Sequence, residues 1–167
     1  MKKERRWLIN SIRSRLLPSF IQRGFEPVPI PKSKDGASDR EGIASMPLGF
    51  LRKKIEHGFE QADVHLSGNG RASFTISFGV VPDAGMESAF GHIEAEYVYT
   101  TWLKEYFVLC ARRRFFKPFA ARRPWWSRRE FTAADYDQLV DRVIALLPEV
   151  DEALKGRKVG LHIRRCG

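Results

Sequence analysis

The sequence predicts an α+β fold: an antiparallel β-sheet with N-terminal and C-terminal helices packed on one face. Three observations carry this expectation. The segments "FEQADVHLS" and "RASFTISFGVV" alternate apolar and polar residues on either side of a Gly-Asn-Gly turn, as half-buried antiparallel strands do. Residues 4–23 and the segment "FTAADYDQLVDRVIALLPEVDEALKG" repeat apolar residues at steps of three and four, the pattern of amphipathic helices. A chain of 167 residues fits one domain with its own core, and neither an internal repeat nor a second domain is visible.

Taken in chain order, the first helix presents Leu8, Ile9, Ile12, Leu16, Phe20 and Ile21 as its apolar stripe, with Arg6 and Arg13 turned away. Pro18 removes one intrahelical hydrogen bond and predicts a kink in the last turn; Gly24 is the expected stop. The stretch "EPVPIPKSKDGASDREGIASMP" holds four prolines and many small polar residues, and reads as a loop, mobile over 31–45. In the first alternating strand Ala62, Val64 and Leu66 share one face and Gln61, Asp63 and His65 the other. In the second, Ala72, Phe74, Ile76, Phe78 and Val80 face away from Ser73, Thr75 and Ser77. A two-residue turn would set core against solvent. A three-residue loop, Gly68 to Gly70, pairs Leu66 with Ala72 and puts Gly70 at the left-handed position.

The segment 88–105 fits two patterns. Ile93, Ala95, Tyr97 and Tyr99 alternate as in a strand, whereas Phe90, Ile93, Tyr97 and Thr101 suit a helix. Its β-branched and aromatic content favours strands over 95–102 and 106–114, the second with Phe107, Leu109 and Ala111 on one face and Val108 and Cys110 on the other. Residues 116–124 then read as an exposed connection. In the last helix Thr132 and Asp135 form an N-terminal capping pattern, and Tyr136, Leu139, Val143, Leu147, Val150 and Leu154 form the buried stripe. Pro148 kinks or splits this helix and Gly156 ends it. The tail "KVGLHIRR" closes as a strand with Val159, Leu161 and Ile163 inward.

Charge is uneven. The net +9 is concentrated in residues 1–23 (+6) and 110–131 (+7), while 24–109 carry −4 and 132–167 are neutral. Two basic patches on a nearly neutral body suggest a partner-facing surface. The stretch "CARRRFFKPFAARRPWWSRREF" interleaves its eight bases with six aromatics. Two cysteines make no disulfide framework. Cys110 sits in an apolar run and reads as a small buried hydrophobe, Cys166 lies in the tail, and a reduced, cytoplasmic setting is expected. No run approaches a membrane span, and the opening residues lack the unbroken apolar core of a secretory signal.

Chemistry is sparse. The histidines His57, His65, His92 and His162 make no metal-ligand spacing, and no Cys-x-x-Cys, phosphate-binding glycine loop or G-x-S-x-G occurs, so no catalytic residue, cofactor or metal site is assigned. The best constellation is Asp63 and His65 on the polar sheet face, with Ser73 opposite His65 and Thr75 opposite Asp63. A hydroxyl, an imidazole and a carboxylate in reach suit acyl or phosphoryl chemistry, whereas the bland equivalent is the solvated face of a hairpin. Glu94 and Glu96 share a face if their segment is a strand.

Four features in order, "LLPSFIQRGF", "SFTISFGV", "RRPWWS" and the helix interrupted by "LLPEV", resemble a family of small bacterial proteins classed as a domain of unknown function. Ser77 stands where that pattern has Asn. The resemblance implies no activity. It does imply that Trp125 or Trp126 lies between the sheet and the last helix and packs one on the other. The residues favour a non-enzymatic protein-binding module with a basic face made by Arg112, Arg113, Arg114, Lys117, Arg122, Arg123, Arg128 and Arg129. Its expected partner is an acidic protein, such as a toxin or effector that it neutralises, as an immunity protein does, or regulates. The alternatives are nucleic-acid binding through 110–131, a small hydrolase-like enzyme on the polar sheet face, and a membrane-surface role for the basic first helix with Trp7.

Overall fold

The computed structural model describes residues 3–31, 45–89, 91–111, 117–122, 126, 129–156 and 159–167. The N-terminal helix is one continuous element in three parts: α1 (Lys3–Ser11), a π-helical turn (Ile12–Leu16) and α2 (Leu17–Ile21). The π turn answers Pro18. Leu17 donates its N–H to Ile12 five residues back, and the widened turn gives the proline ring room where an α-helix would clash with the carbonyl four residues earlier. Leu8, Ile12, Leu16 and Phe20 are buried as the stripe predicts, whereas Ile21 is turned outward. At the C-terminus Gly24 takes φ +84°. Its N–H bonds to Ile21, the Phe25 N–H reaches back to Phe20 O at 3.1 Å, and the two phenyl rings meet edge-on at 5.4 Å. This is a Schellman stop with its hydrophobic contact.

The main sheet has the order β1 (Glu26–Val28), β2 (Phe50–Ile55), β3 (Gly58–Leu66), β4 (Ser73–Pro82), β7 (Tyr106–Leu109), β9 (Ile163–Cys166), and β8 (Phe119–Ala120) also pairs with β4. Each of these pairings is antiparallel. A small hairpin, β5 (Met86–Ser88) and β6 (Gly91–Ile93), stands apart. The last helix splits into α3 (Ala133–Ile144) and α4 (Leu147–Leu154), with Pro148 in the first turn of the second piece, where a missing N–H costs nothing. The Asp135 carboxylate accepts the Thr132 N–H at 2.7 Å and its hydroxyl at 2.9 Å, which caps α3 as expected.

One core joins the helix stripes to the apolar sheet face. Leu8, Ile12, Leu16 and Phe20 share one buried cluster with Val64, Phe74, Ile76, Phe78 and Leu109 of the sheet and Leu139, Val140, Val143, Leu147 and Val150 of the last helices. Both helices thus pack on one face of an antiparallel sheet, and the α+β expectation holds.

Several local expectations are corrected. Residues 26–28, read as loop, form edge strand β1, where Pro27 and Pro29 suit a short outermost strand. Residues 50–55 form β2, a strand whose alternation Arg52, Lys53 and Lys54 blur in the sequence. The β3–β4 register is shifted by two: Leu66 pairs with Phe74, not Ala72. The Ser67 and Ser73 hydroxyls meet at 2.6 Å and Ser67 N–H bonds Ser73 O, closing a longer loop in which Gly70 still takes φ +72°. A two-residue shift leaves every apolar side chain on its face. Residues 95–102 are not a strand but two 3-10 turns, Ala95–Tyr97 and Thr100–Trp102. The expected strand 106–114 is seen as Tyr106–Leu109, with 112–116 outside the described residues. The connection 116–124 contains β8, whose Phe119 is buried. In the tail only Ile163 points inward; Val159 is partly exposed and Leu161 is 84% exposed. The expected mobile loop lies outside the described residues over 32–44.

The burial pattern sets a direct test. Ile76→Ala, at a fully buried site, lowers stability by about 2–5 kcal/mol in urea denaturation, whereas Leu161→Ala changes it by less than about 0.5 kcal/mol.

Candidate functional site

Two places collect the chemistry-bearing side chains: the polar face of the sheet, and a cleft beside the basic segment.

The polar face is not solvated. Phe50, Arg52, Gln61, Asp63 and Ser77 all lie on it, and each is buried beneath the segment 94–103, which crosses the sheet as a strap. The strap is held through its own backbone. Arg52 donates to the carbonyls of Ala95 (2.9 Å) and Glu96 (3.2 Å), and Gln61 Nε2 to that of Val98 (2.9 Å). Asp63 then takes the Thr100 N–H at 2.9 Å and its hydroxyl at 2.7 Å on Oδ2, and Gln61 Nε2 at 3.0 Å on Oδ1. Phe50 and Tyr99 close the end of the layer edge to face at 5.1 Å.

This arrangement places the expected constellation differently. Asp63 faces Ser77 and His65 faces Thr75, while Ser73 faces Ser67 across the loop. A single chain of hydrogen bonds runs from His65 Nε2 to Ser77 Oγ (2.8 Å), on to Thr100 Oγ1 (2.6 Å), and so to Asp63. With Asp63 ionised its polarity is fixed. Thr100 spends its one hydroxyl proton on the carboxylate, so Ser77 donates to Thr100, and His65 must donate to Ser77. An imidazole that activates a serine has to accept that serine's proton, the opposite sense. Ser77 is also out of reach of solvent. Glu94 and Glu96, expected to share a strand face, sit instead on an exposed 3-10 turn.

Burial governs the titration of both ends. It pushes the Asp63 carboxyl up to about 6, against the opposing pull of the Thr100 and Gln61 hydrogen bonds and of the Arg52 charge. It pushes His65 down to about 4. Each shift favours the neutral form in the fold. The Asp63 contribution is therefore complete below its ordinary value of 3.8 and lost as pH rises through about 6. The His65 contribution is complete above 6.5 and lost as pH falls through about 4. Each is worth about 3 kcal/mol, and across the shared window they oppose one another.

The second place is a cleft of about 400 Å³ between β8 and α3. Phe119, Ala120 and Leu139 give it an apolar lining, and its charged or titratable lining residues among those described are Arg122, Arg142 and His162. Glu149 fixes His162 by accepting the ring Nδ1–H at 2.8 Å and the backbone N–H at 3.1 Å. Arg142 donates Nε–H to Gln138 O at 3.3 Å. Of the basic face expected from the sequence, Arg122 lines this cleft. Lys117 is exposed, with its carbonyl accepting the Ala111 N–H, and Arg129 is spent on an ion pair with the capping carboxylate of Asp135. Arg112, Arg113, Arg114, Arg123 and Arg128 lie outside the described residues. Arg142 and His162 were missed because they come from distant segments, and only folding brings them beside β8. Trp126 is 69% exposed, not buried between the sheet and α3 as expected; Trp125 is outside the described residues. Tyr136 meets the rings of Trp7 at 6.3 Å and Phe131 at 6.0 Å.

Among the described residues, no group of three or more His, Cys, Asp or Glu side chains could hold a metal ion, and no helix is long and apolar enough to cross a membrane. No family model matches the chain, nor does a curated protein or a solved structure. The likeness drawn from "LLPSFIQRGF", "SFTISFGV", "RRPWWS" and "LLPEV" therefore rests on those residues alone.

The opposed titrations give a sharp expectation for urea midpoints measured at pH 4.5 and 6.5. Replacing Asp63→Asn leaves the His65 contribution alone, so stability relative to the native protein falls on acidification. Replacing His65→Gln leaves that of Asp63, and relative stability rises on acidification. Equal slopes in the two variants refute the assignment.

Proposed function

We propose that the protein is a non-enzymatic binding module that takes an acidic protein partner on its basic face, neutralising or regulating it. The observation that carries this reading is the cleft between β8 and α3, where Arg122 and Arg142 flank His162 over an apolar floor with no carboxylate among the described lining residues. Guanidinium groups bind carboxylates through paired, charge-assisted hydrogen bonds, and an apolar floor accommodates the stem of an Asp or Glu side chain. The closed polar face supports the non-enzymatic part: its one carboxylate is saturated and its serine is buried and donates away from the histidine.

Nucleic-acid binding is the second reading, and the exposed ring of Trp126 favours it as a surface on which a base could stack. The mixed charge along α3 speaks for a protein. Asp141, paired with Arg15 at 2.9 Å, and exposed Glu130 put negative charge on and near the same helix. A duplex carries a phosphate charge about every 1.7 Å and calls for an unbroken cationic track.

The test is a titration of a labelled glutamate-rich peptide, a single-stranded oligonucleotide and a duplex at two salt concentrations. The peptide is expected to bind, and Arg122→Glu combined with Arg142→Glu to weaken it at least tenfold with an unchanged melting temperature. Submicromolar oligonucleotide binding that falls steeply with salt, with none to the peptide, overturns the reading.

A further inference from the structure

The helix layer ends before the sheet does. Helix α4 stops at Leu154, with Gly156 just beyond, while β4 continues to Pro82. Val80 follows Phe74, Ile76 and Phe78 on the helix-covered face, yet it is 42% exposed, since α4 ends before covering it. The uncovered end of the sheet is not flat. It is a cleft of about 660 Å³ whose walls are Val80, Met86, Leu103, Phe107, Ala153 and Leu154. That volume is in the range of small-molecule sites, and a lining mainly of apolar side chains with a few charged groups is their usual composition.

The charged groups decide the ligand. Three line the cleft: Glu87, Lys104 and Glu105. Glu105 is held by Arg165 at 2.7 Å, and Glu87 lies against His92 Nδ1 at 2.8 Å. Lys104 has no ion-pair or hydrogen-bond partner among the described residues, and it sits where the chain enters β7, next to Leu103 on the cleft wall. An apolar trough with one uncommitted ammonium at its rim is complementary to a molecule with an aliphatic tail and a single anionic head. We propose that this cleft binds an aliphatic carboxylate of the fatty-acid type, its chain along Val80, Met86 and Phe107 and its carboxylate on Lys104 Nζ. Val80 and Lys104 are exposed, so the site is open without rearrangement. It shares no lining residue with the basic cleft, and it stands or falls apart from the partner-binding reading.

Calorimetric titration of the full chain with decanoate, below the concentration at which it forms micelles, tests the site, with decylammonium and decanol as companions. The expected result is saturable binding of one decanoate per chain, tighter than either companion. Lys104→Glu is expected to weaken it at least tenfold, and Val80→Asp to abolish it. Lys104→Glu changes an exposed residue and keeps the test valid if the strand substitution impairs folding. Absence of saturable decanoate binding overturns the proposal. So does decylammonium binding as tightly as decanoate, or an affinity unchanged by Lys104→Glu.

Discussion

The Asp63 carboxylate is the interaction on which one whole side of the molecule depends. It lies in the middle of β3 with no exposed surface, and three hydrogen bonds converge on it, two of them from Thr100. A carboxylate so placed has to be compensated or expelled, because an unpaired buried charge is among the most costly features a fold can contain. The compensation comes from the strap, and the strap has no regular ladder of its own. Its two 3-10 turns are fixed where Arg52, Gln61 and Asp63 hold its backbone groups, and its course across the sheet follows from that.

The same network explains why a face that looks catalytic in one dimension is structural in three. Serine, histidine and aspartate do come together, within 2.6–2.8 Å steps along a relay. The relay includes a threonine from the strap, and while Asp63 is ionised that threonine sets the direction of every proton in it. Satisfied polar networks of this kind specify one arrangement of a layer, since each member has a single partner geometry that leaves no donor or acceptor orphaned.

Away from this layer, the surface divides according to what the helices cover. Where α3 meets β8, arginines and a histidine border an apolar floor; where α4 ends short of β4, apolar side chains remain open beside a lysine. The two clefts differ in character because they arise differently. The first is the seam between two elements brought together by the core. The second is the part of the sheet that the core did not need. Neither cleft is lined by a member of the Asp63 network, although Leu103, the end of the strap, walls the second.

The sequence by itself determined the two amphipathic helices, their caps at Thr132 and Gly24, the strands β3 and β4, and hence the α+β layering. Each of these rests on local periodicity or local backbone chemistry, which the chain carries within a few residues. It also set the concentration of positive charge in 110–131. Tertiary structure alone decided the rest. The strap 95–102 has strand-like composition, but its backbone partners are Arg52, Gln61 and Asp63, more than thirty residues away, and these partners outweigh propensity. The β3–β4 register moved by two because the Ser67 and Ser73 hydroxyls close the loop, a choice that alternation cannot make, since any even shift keeps the faces. Likewise, Arg122, Arg142 and His162 belong to three segments, and no spacing along the chain marks them as neighbours. A linear pattern reports which side of an element is buried. It does not report what will be laid over it.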